Sequence, residues 1–359
     1  MMSKLYLRPT AFIDSPIGFD GQFMRLAGGL SFFSAFEVIE FEGGQRISKR
    51  LVPVGEINTV IAGDAVAQTT LSRLTSPRPA LQLGERIIRL DQPQVMGILN
   101  MTPDSFSDGG KHIDDAEAAA SAGVAMAAAG AAVIDVGGES TRPGAPAVWE
   151  GDEIARTQPV IERLARSGVA VSIDTRKAAV MSAALGAGAG LVNDVSALCH
   201  DGQAITLMAE RDCPVVIMHS PDAAKSLHDG GVYRDALIET YDWLDARIAA
   251  LEAAGIARSR LIIDPGIGFG KGVAENLAIL NGLALFHGLG CPILLGASRK
   301  RFIGALAGEV AATERLPGSL AIALKAAEQG AQLIRVHDVP ETVQALKIWR
   351  GMRDQGLSG

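Results

Sequence analysis

Polar residues suited to binding and polarising a small molecule recur in this chain directly after short apolar runs. Asp174, Asn193, Asp264 and Lys300 follow four different runs and present both acceptors and donors. A buried carboxylate is costly unless it is hydrogen-bonded. A cavity holding Asp174 and Asp264 therefore suits a planar heterocycle whose N–H edges satisfy them. Arg335 and His337 stand two apart in one run, so on a strand they point to the same side. With Ser298, Lys300 and Arg142 they would concentrate donors and positive charge for a phosphate-like anion. Asn100 opens a loop rich in oxygen-bearing side chains and is a candidate ligand for a hard divalent cation, which takes oxygen ligands and keeps water while bridging to phosphate.

Taken singly, each residue has a plainer reading. Asp174, ahead of Thr175-Arg176-Lys177, could simply cap the next helix. Asp264-Pro265-Gly266-Ile267-Gly268-Phe269-Gly270-Lys271 is glycine-rich but lacks the spacing of a nucleotide-binding phosphate loop. His200, His228 and His287 read as surface or packing residues, and His112 is left open. Caps alone do not account for polar groups at the end of every apolar run, and that joint pattern requires elements that bring the run ends together.

The runs are 95–100, 132–138, 170–175, 191–195, 214–219, 261–267, 292–298 and 333–338, and helix-length stretches rich in Ala, Leu and charge separate them. Helices are expected at 115–130, 150–167, 177–187, 202–211, 234–254, 273–287, 317–330 and 340–351. Eight βα units in about 265 residues match a TIM (β/α)8 barrel, whose site lies at the C-terminal mouth of its strands. The alternative is an open doubly wound sheet, with polar strand ends clustered at one switch point. Residues 1–90 differ: strands at 5–12, 35–41 and 46–54 and a helix at 65–74 form a small α+β N-terminal domain. The expected fold is thus α/β, that domain preceding a barrel over 91–359.

The chain has 359 residues, 33 Lys+Arg against 40 Asp+Glu and a formal net charge of −7, so it lacks the charge balance of a non-specific nucleic-acid binder. Any anion must be held by a local cluster. The three cysteines, Cys199, Cys213 and Cys291, form neither a disulfide framework nor a CxxC site and read as inert thiols. No segment has the length and polarity of a signal peptide, and the mostly Ala and Gly stretch 118–134 is a poor membrane span. A cytoplasmic protein without nucleic-acid or membrane partners is expected.

Seven segments resemble, in order, the motifs of the dihydropteroate synthase family: GILNMTPDSFSDGG (97–110), GGESTRPGA (137–145), SIDTRKAAV (172–180), LVNDVSAL (191–198), DPGIGFGK (264–271), GASRKRFIG (296–304) and RVHDV (335–339). The resemblance runs from about Gln94 to the C-terminus. It implies a pterin-binding barrel that condenses 6-hydroxymethyl-7,8-dihydropterin diphosphate with 4-aminobenzoate, releasing diphosphate. Carried over by motif, Asn100 would bind Mg2+, and Asp174, Asn193, Asp264 and Lys300 would hold the pterin. Thr141 and Arg142 would lie in a covering loop, Arg335 and His337 would contact the diphosphate, and Ser298 would sit beside the aminobenzoate, where sulfonamides compete in this family. Asp174, Asp264, Lys300, Arg335 and His337 are the implied catalytic set, and a homodimer is the implied assembly. The chain departs from the family after His219, where Ser220-Pro221-Asp222-Ala223-Ala224-Lys225-Ser226 replaces a Gln-Gly-x-Pro loop, and at Arg301, where the family has Ser. The altered loop motivates an alternative, a non-catalytic pterin-binding paralogue; a methyltetrahydrofolate-type methyltransferase would have little need of the cationic set.

Overall fold

The structure, a computed structural model, describes residues 3–102, 115–224, 226–229 and 231–357. Strands β1 (Lys4–Ile13), β2 (Met24–Arg25), β3 (Phe32–Glu42) and β4 (Gln45–Pro53) form an antiparallel leader sheet, followed by helices α1 (Ile57–Val60) and α2 (Ala65–Thr75) and the hairpin β5 (Leu81–Leu83) and β6 (Arg86–Ile88). Eight parallel strands then follow: β7 (Gln94–Asn100), β8 (Val133–Gly137), β9 (Val171–Asp174), β10 (Leu191–Asp194), β11 (Val215–Met218), β12 (Leu261–Asp264), β13 (Leu294–Leu295) and β14 (Leu333–Val336). They are paired in the order β12-β11-β10-β9-β8-β7-β14-β13. A parallel bridge between Ile263 and Ile293 joins the two ends. The sheet is therefore a closed barrel, and the open-sheet alternative falls.

Outside it lie α3 (Ala116–Ala129), α4 (Glu150–Arg166), α5 (Ala178–Gly186), α6 (Ala204–Ala209), α7 (Ala236–Ala253), α8 (Val273–Asn281), α9 (Arg301–Leu306), α10 (Leu316–Glu328) and α11 (Val339–Leu357). Alanine-rich α3 starts where the Asp115 carboxylate accepts from the amides of Glu117 and Ala118, and it stops at Gly130 with φ 112°. The helix expected over 273–287 breaks at Gly282, after which 283–289 form a 3-10 segment. A side chain at 282 would meet Leu237 at 2.4 Å, so the break lets the chain pass close to α7.

Side-chain parity explains why each strand begins apolar and ends polar. Inside the barrel, Met96, Val133, Ala170, Leu191, Val216, Ile262, Leu294 and Leu333 form one buried cluster, closed from below by Leu81, Leu83, Ile88 and Leu90 of the hairpin segment. Two residues onward, at strand period 2, the same inward face presents Asp135, Asn193, Asp264 and Arg335. Two further on come Gly137, Asp174, Ser298 and His337 at the mouth. Ile134, Val136, Ile173, Val192 and Ile263 face outward to the helices.

The leader has its own apolar cluster, Leu7, Leu26, Phe33, Phe36, Val38, Val52 and others, which also takes in Ala284 from beside the barrel. Tyr6 donates its hydroxyl to Asp242 on α7 at 2.7 Å. The buried Arg78 guanidinium donates to the carbonyls of Cys291 (3.2 Å) and His287 (2.9 Å). The hairpin falls on the leader side of residue 90, yet its apolar side chains are part of the barrel floor.

Candidate active site

The strand ends converge on an ion pair network built around Arg335. Its Nε donates to Asp135 Oδ2 at 2.6 Å and its Nη2 to Asp174 Oδ2 at 2.7 Å. Asn193 Nδ2 donates to the same Asp135 oxygen at 2.9 Å. Parallel register sets this up, since Asp135 pairs with Ser172, Gly137 with Asp174, and Asn193 with Asp174. Asp264 lies beside Arg335: a Cβ at Gly296 would stand 3.6 Å from Asp264 Oδ2 and 3.9 Å from Arg335 Cβ. One Asp264 oxygen accepts from the Gly266 amide at 2.7 Å. Gly266 has φ +70° and a side chain there would meet the His219 carbonyl at 1.9 Å, so the turn that aims Asp264 inward admits only glycine.

Lys300 enters the mouth because Arg299 turns the chain through a left-handed conformation with φ 57°. The Arg299 guanidinium pairs with Asp338, its Nε 2.9 Å from Oδ2, which directs it away from the pocket. Lys300 Nζ donates to the Ile267 carbonyl and stands 4.3 Å from the centroid of the Phe269 ring. Ser298 Oγ accepts from the His337 amide at 3.2 Å and lies 3.1 Å from His337 Nδ1. Asn100 Oδ1 and Asp174 Oδ2 flank Gly137, at 3.7 and 3.8 Å from the place of its absent Cβ.

The electrostatics follow from burial. Desolvation raises the Asp174 carboxyl to about 7, with Arg335 opposing and Asp135 adding to the rise. Asp264 is also raised by burial, against the pull of Lys300 and the Gly266 amide. Burial lowers Lys300 to about 8 and His337 to about 3, the latter helped by Arg335 and Arg299. His337 is thus a neutral imidazole at pH 7. Arg335 is held charged, because its two carboxylates outweigh its burial. The positive rim expected from sequence is therefore weaker than drawn: the Arg335 charge is engaged by the floor carboxylates, and His337 carries none. Arg142 on the loop after β8 adds to the positive field at His337.

Several polar strand-end residues do not join the pocket. Asp194 faces away from it and accepts from the Ser196 amide and hydroxyl and the Leu198 amide, shaping a turn. The His219 ring lies edge-on to Trp243 of α7 with centroids 5.1 Å apart, and burial pushes its pKa down to about 2. Asp174 is no helix cap; Asp201 accepts from the Ala178 amide at the start of α5 instead. The glycine-rich loop wraps its own lysine, Lys271 donating to the carbonyls of Gly266 (2.9 Å), Phe269 (3.2 Å) and His219 (3.3 Å), which leaves no phosphate cradle.

Asp135 escaped the sequence reading. Its signal was a lone charge inside an otherwise apolar strand rather than at its end. His228, read as surface or packing, packs by stacking on Phe269 and also donates to the Thr141 carbonyl at the mouth. His287 is a packing residue, fully buried. The loop residues 103–110 and His112 lie outside the described residues. Among the described residues, no cluster of three or more His, Cys, Asp or Glu could hold a metal, and no helix is long and apolar enough to cross a membrane.

The pterin binding enzyme family matches residues 96–337. The dihydropteroate synthase of Neisseria meningitidis serogroup B is 43% identical over 279 residues, covering 77% of this chain and 98% of that protein. Among solved structures, the Xanthomonas albilineans dihydropteroate synthase in complex with 7,8-dihydropteroate is 46% identical with TM-score 0.69, covering 77% of this chain and 99% of that one. The Yersinia pestis dihydropteroate synthase with a sulfonamide drug complex is 44% identical with TM-score 0.73 and has the same coverage.

Proposed function

The chain belongs to the pterin-binding enzyme family, and we infer that it is a transferase acting in folate biosynthesis as a dihydropteroate synthase. It joins 6-hydroxymethyl-7,8-dihydropterin diphosphate to 4-aminobenzoate, forming 7,8-dihydropteroate and diphosphate, and it is a sulfonamide target. The observation that carries this reading is the meeting of Asp135, Asp174, Asn193, Asp264, Lys300 and Arg335 from separate strands in one barrel mouth.

In the proposed arrangement the pterin ring lies over this floor. Its N–H edges donate to Asp264 and Asp174, whose carboxyls are raised by burial and whose charged forms a further donor would stabilise. Asn193 and Lys300 contact the remaining ring edges. Arg335 holds Asp174 and Asp135 in place beneath the ring and stabilises negative charge on the diphosphate from below. His337, Ser298 and Arg142 face the diphosphate and the aminobenzoate carboxylate at the rim, and Thr141 belongs to the covering loop. Diphosphate is a good leaving group, and the cationic methylene carbon left behind is delocalised into the pterin and favoured by Asp174 and Asp264. The aminobenzoate amine then attacks, its surplus proton passing to the departed diphosphate or to water, with no strong base and no covalent enzyme intermediate.

The amide oxygen Asn100 Oδ1, beside Asp174 Oδ2 across Gly137, fits a hard cation whose other ligands are water and substrate phosphate. We propose that Asn100 holds Mg2+ in this way, and the bound ion would supply neutralisation of the departing charge. A homodimer and a cytoplasmic location complete the proposal; three free cysteines support the location.

The test is diphosphate release with pterin diphosphate, 4-aminobenzoate and Mg2+, together with detection of dihydropteroate. Turnover supports the reading. Tight pterin diphosphate binding without turnover would instead establish the non-catalytic paralogue. Light scattering reads the dimer.

A further inference from the structure

Described residues in and beside the segment where the chain departs from the family pattern pack at the mouth. Leu227 is buried with Val195, Met218 and Phe269 at the mouth. Ser226 Oγ accepts from the Asp229 amide at 3.2 Å, and the Ser226 amide donates to the Asp222 carbonyl at 2.9 Å, which fixes the turn. The neighbouring glycine-rich loop accommodates it: a side chain at Gly270 would meet Pro221 at 2.4 Å. Next to the Leu227 anchor, the His228 ring stacks on Phe269 with centroids 5.0 Å apart and 15° between planes. Its Nε2 lies 2.6 Å from the carbonyl oxygen of Thr141, on the loop after β8. A carbonyl only accepts, so Nε2 carries the proton, and neutral and charged imidazole make this bond alike. His228 therefore connects three loops, those after β8, β11 and β12, across the rim, and its ring contacts are made to Thr141 and Phe269 of those loops.

We propose that His228 is a positioning residue that latches the loop after β11 onto Thr141 and so sets the rim that the second substrate meets. This rests on the synthase reading. The pterin is held by the strand ends, whereas a flat aromatic acid arriving above it meets the rim that His228 assembles. The latch thus bears on the second substrate more than on the pterin, which touches this rim only through Lys300 over Phe269 and through Arg142 on the latched loop.

The experiment compares steady-state kinetics of the full chain with His228→Ala, His228→Gln and His228→Phe, and hydrogen exchange of the segment 139–146 without substrate. In His228→Ala the KM for 4-aminobenzoate is expected to rise about tenfold from loss of the hydrogen bond and the ring contact, with kcat and the KM for pterin diphosphate within about twofold. Gln, which keeps a donor, and Phe, which keeps the stack, should each restore part of the loss. Exchange in 139–146 should quicken in His228→Ala. An unchanged KM for aminobenzoate, an equal rise for both substrates, or a fall showing that the imidazole competes for the subsite would overturn the proposal. Unchanged exchange would overturn it even if the parent protein had no turnover, an outcome that by itself would count only against the synthase reading.

Discussion

Asp174→Asn should make the folded protein more stable at alkaline pH while damaging its function. In the folded state the Asp174 carboxyl is raised from 3.8 to about 7. Between those values the folded chain holds a proton that the unfolded chain has lost, so this group's contribution to stability falls as pH rises through that window and levels off above about 7. A shift of about three units at 1.36 kcal/mol each amounts to about 4 kcal/mol in all. Part of it is already lost by pH 5, leaving about 2–3 kcal/mol between pH 5 and pH 8. Asn keeps an acceptor for Arg335 Nη2 and carries no titratable proton. Urea denaturation of both proteins at pH 5 and pH 8 reads the effect: the stability of the variant relative to its parent should improve by about 2–3 kcal/mol from the lower to the higher pH. Binding of the pterin should weaken at both. A difference that does not change with pH, or one that moves the other way, would refute the assignment of Asp174 as a carboxyl destabilised by its own burial.

Asp264→Asn removes an acceptor charge without breaking the hydrogen bonds of Arg335 to Asp135 and Asp174, and calorimetric titration should show pterin binding weakened by about 1–3 kcal/mol. Arg335→Met leaves Asp135 and Asp174 buried without their cation, so denaturant unfolding at pH 8 should show a loss of about 3–5 kcal/mol, smaller at pH 5 where Asp174 is protonated. The leader's hold on the barrel should depend on buried contacts more than on surface charge. Tyr6→Phe, which breaks a bond to Asp242 from a buried ring, should cost about 1–2 kcal/mol of unfolding free energy, whereas Arg46→Ala, which removes an ion pair to Asp235 with Arg46 36% exposed, should cost less than about 1 kcal/mol.

The barrel was legible because its strands carry two signals at once, an apolar run for burial and a polar end for the mouth, and parity turns those ends inward together. Asp174, Asn193, Asp264, Arg335 and His337 were found by that logic. It also swept in Asp194 and His219, which sit one residue out of phase and so face the helix layer, a distinction that period 2 could have drawn once the inward residues of each strand were fixed. Asp135 was missed for the reverse reason: it is in phase, but one step below the mouth, where Arg335 and Asn193 reach down to hydrogen-bond it. The true protonation of the rim was out of reach as well, since the neutral state of His337 comes first from burial, with Arg335 two residues before it and Arg299 from another loop adding to it, and the burial is not encoded locally.

What sequence order conceals most completely is contact between loops. Thr141 and His228 lie 87 residues apart, on different βα units, and nothing in either segment announces the other. Their meeting depends on Leu227 being driven into the cluster of Val195, Met218 and Phe269, which fixes where the next side chain points. A family motif lost from that loop therefore does not imply a lost function there. The apolar anchor, the serine-stabilised turn and the stacked imidazole together rebuild a cover from different residues, so the departure after His219 favours an altered second-substrate rim over an inactive pocket.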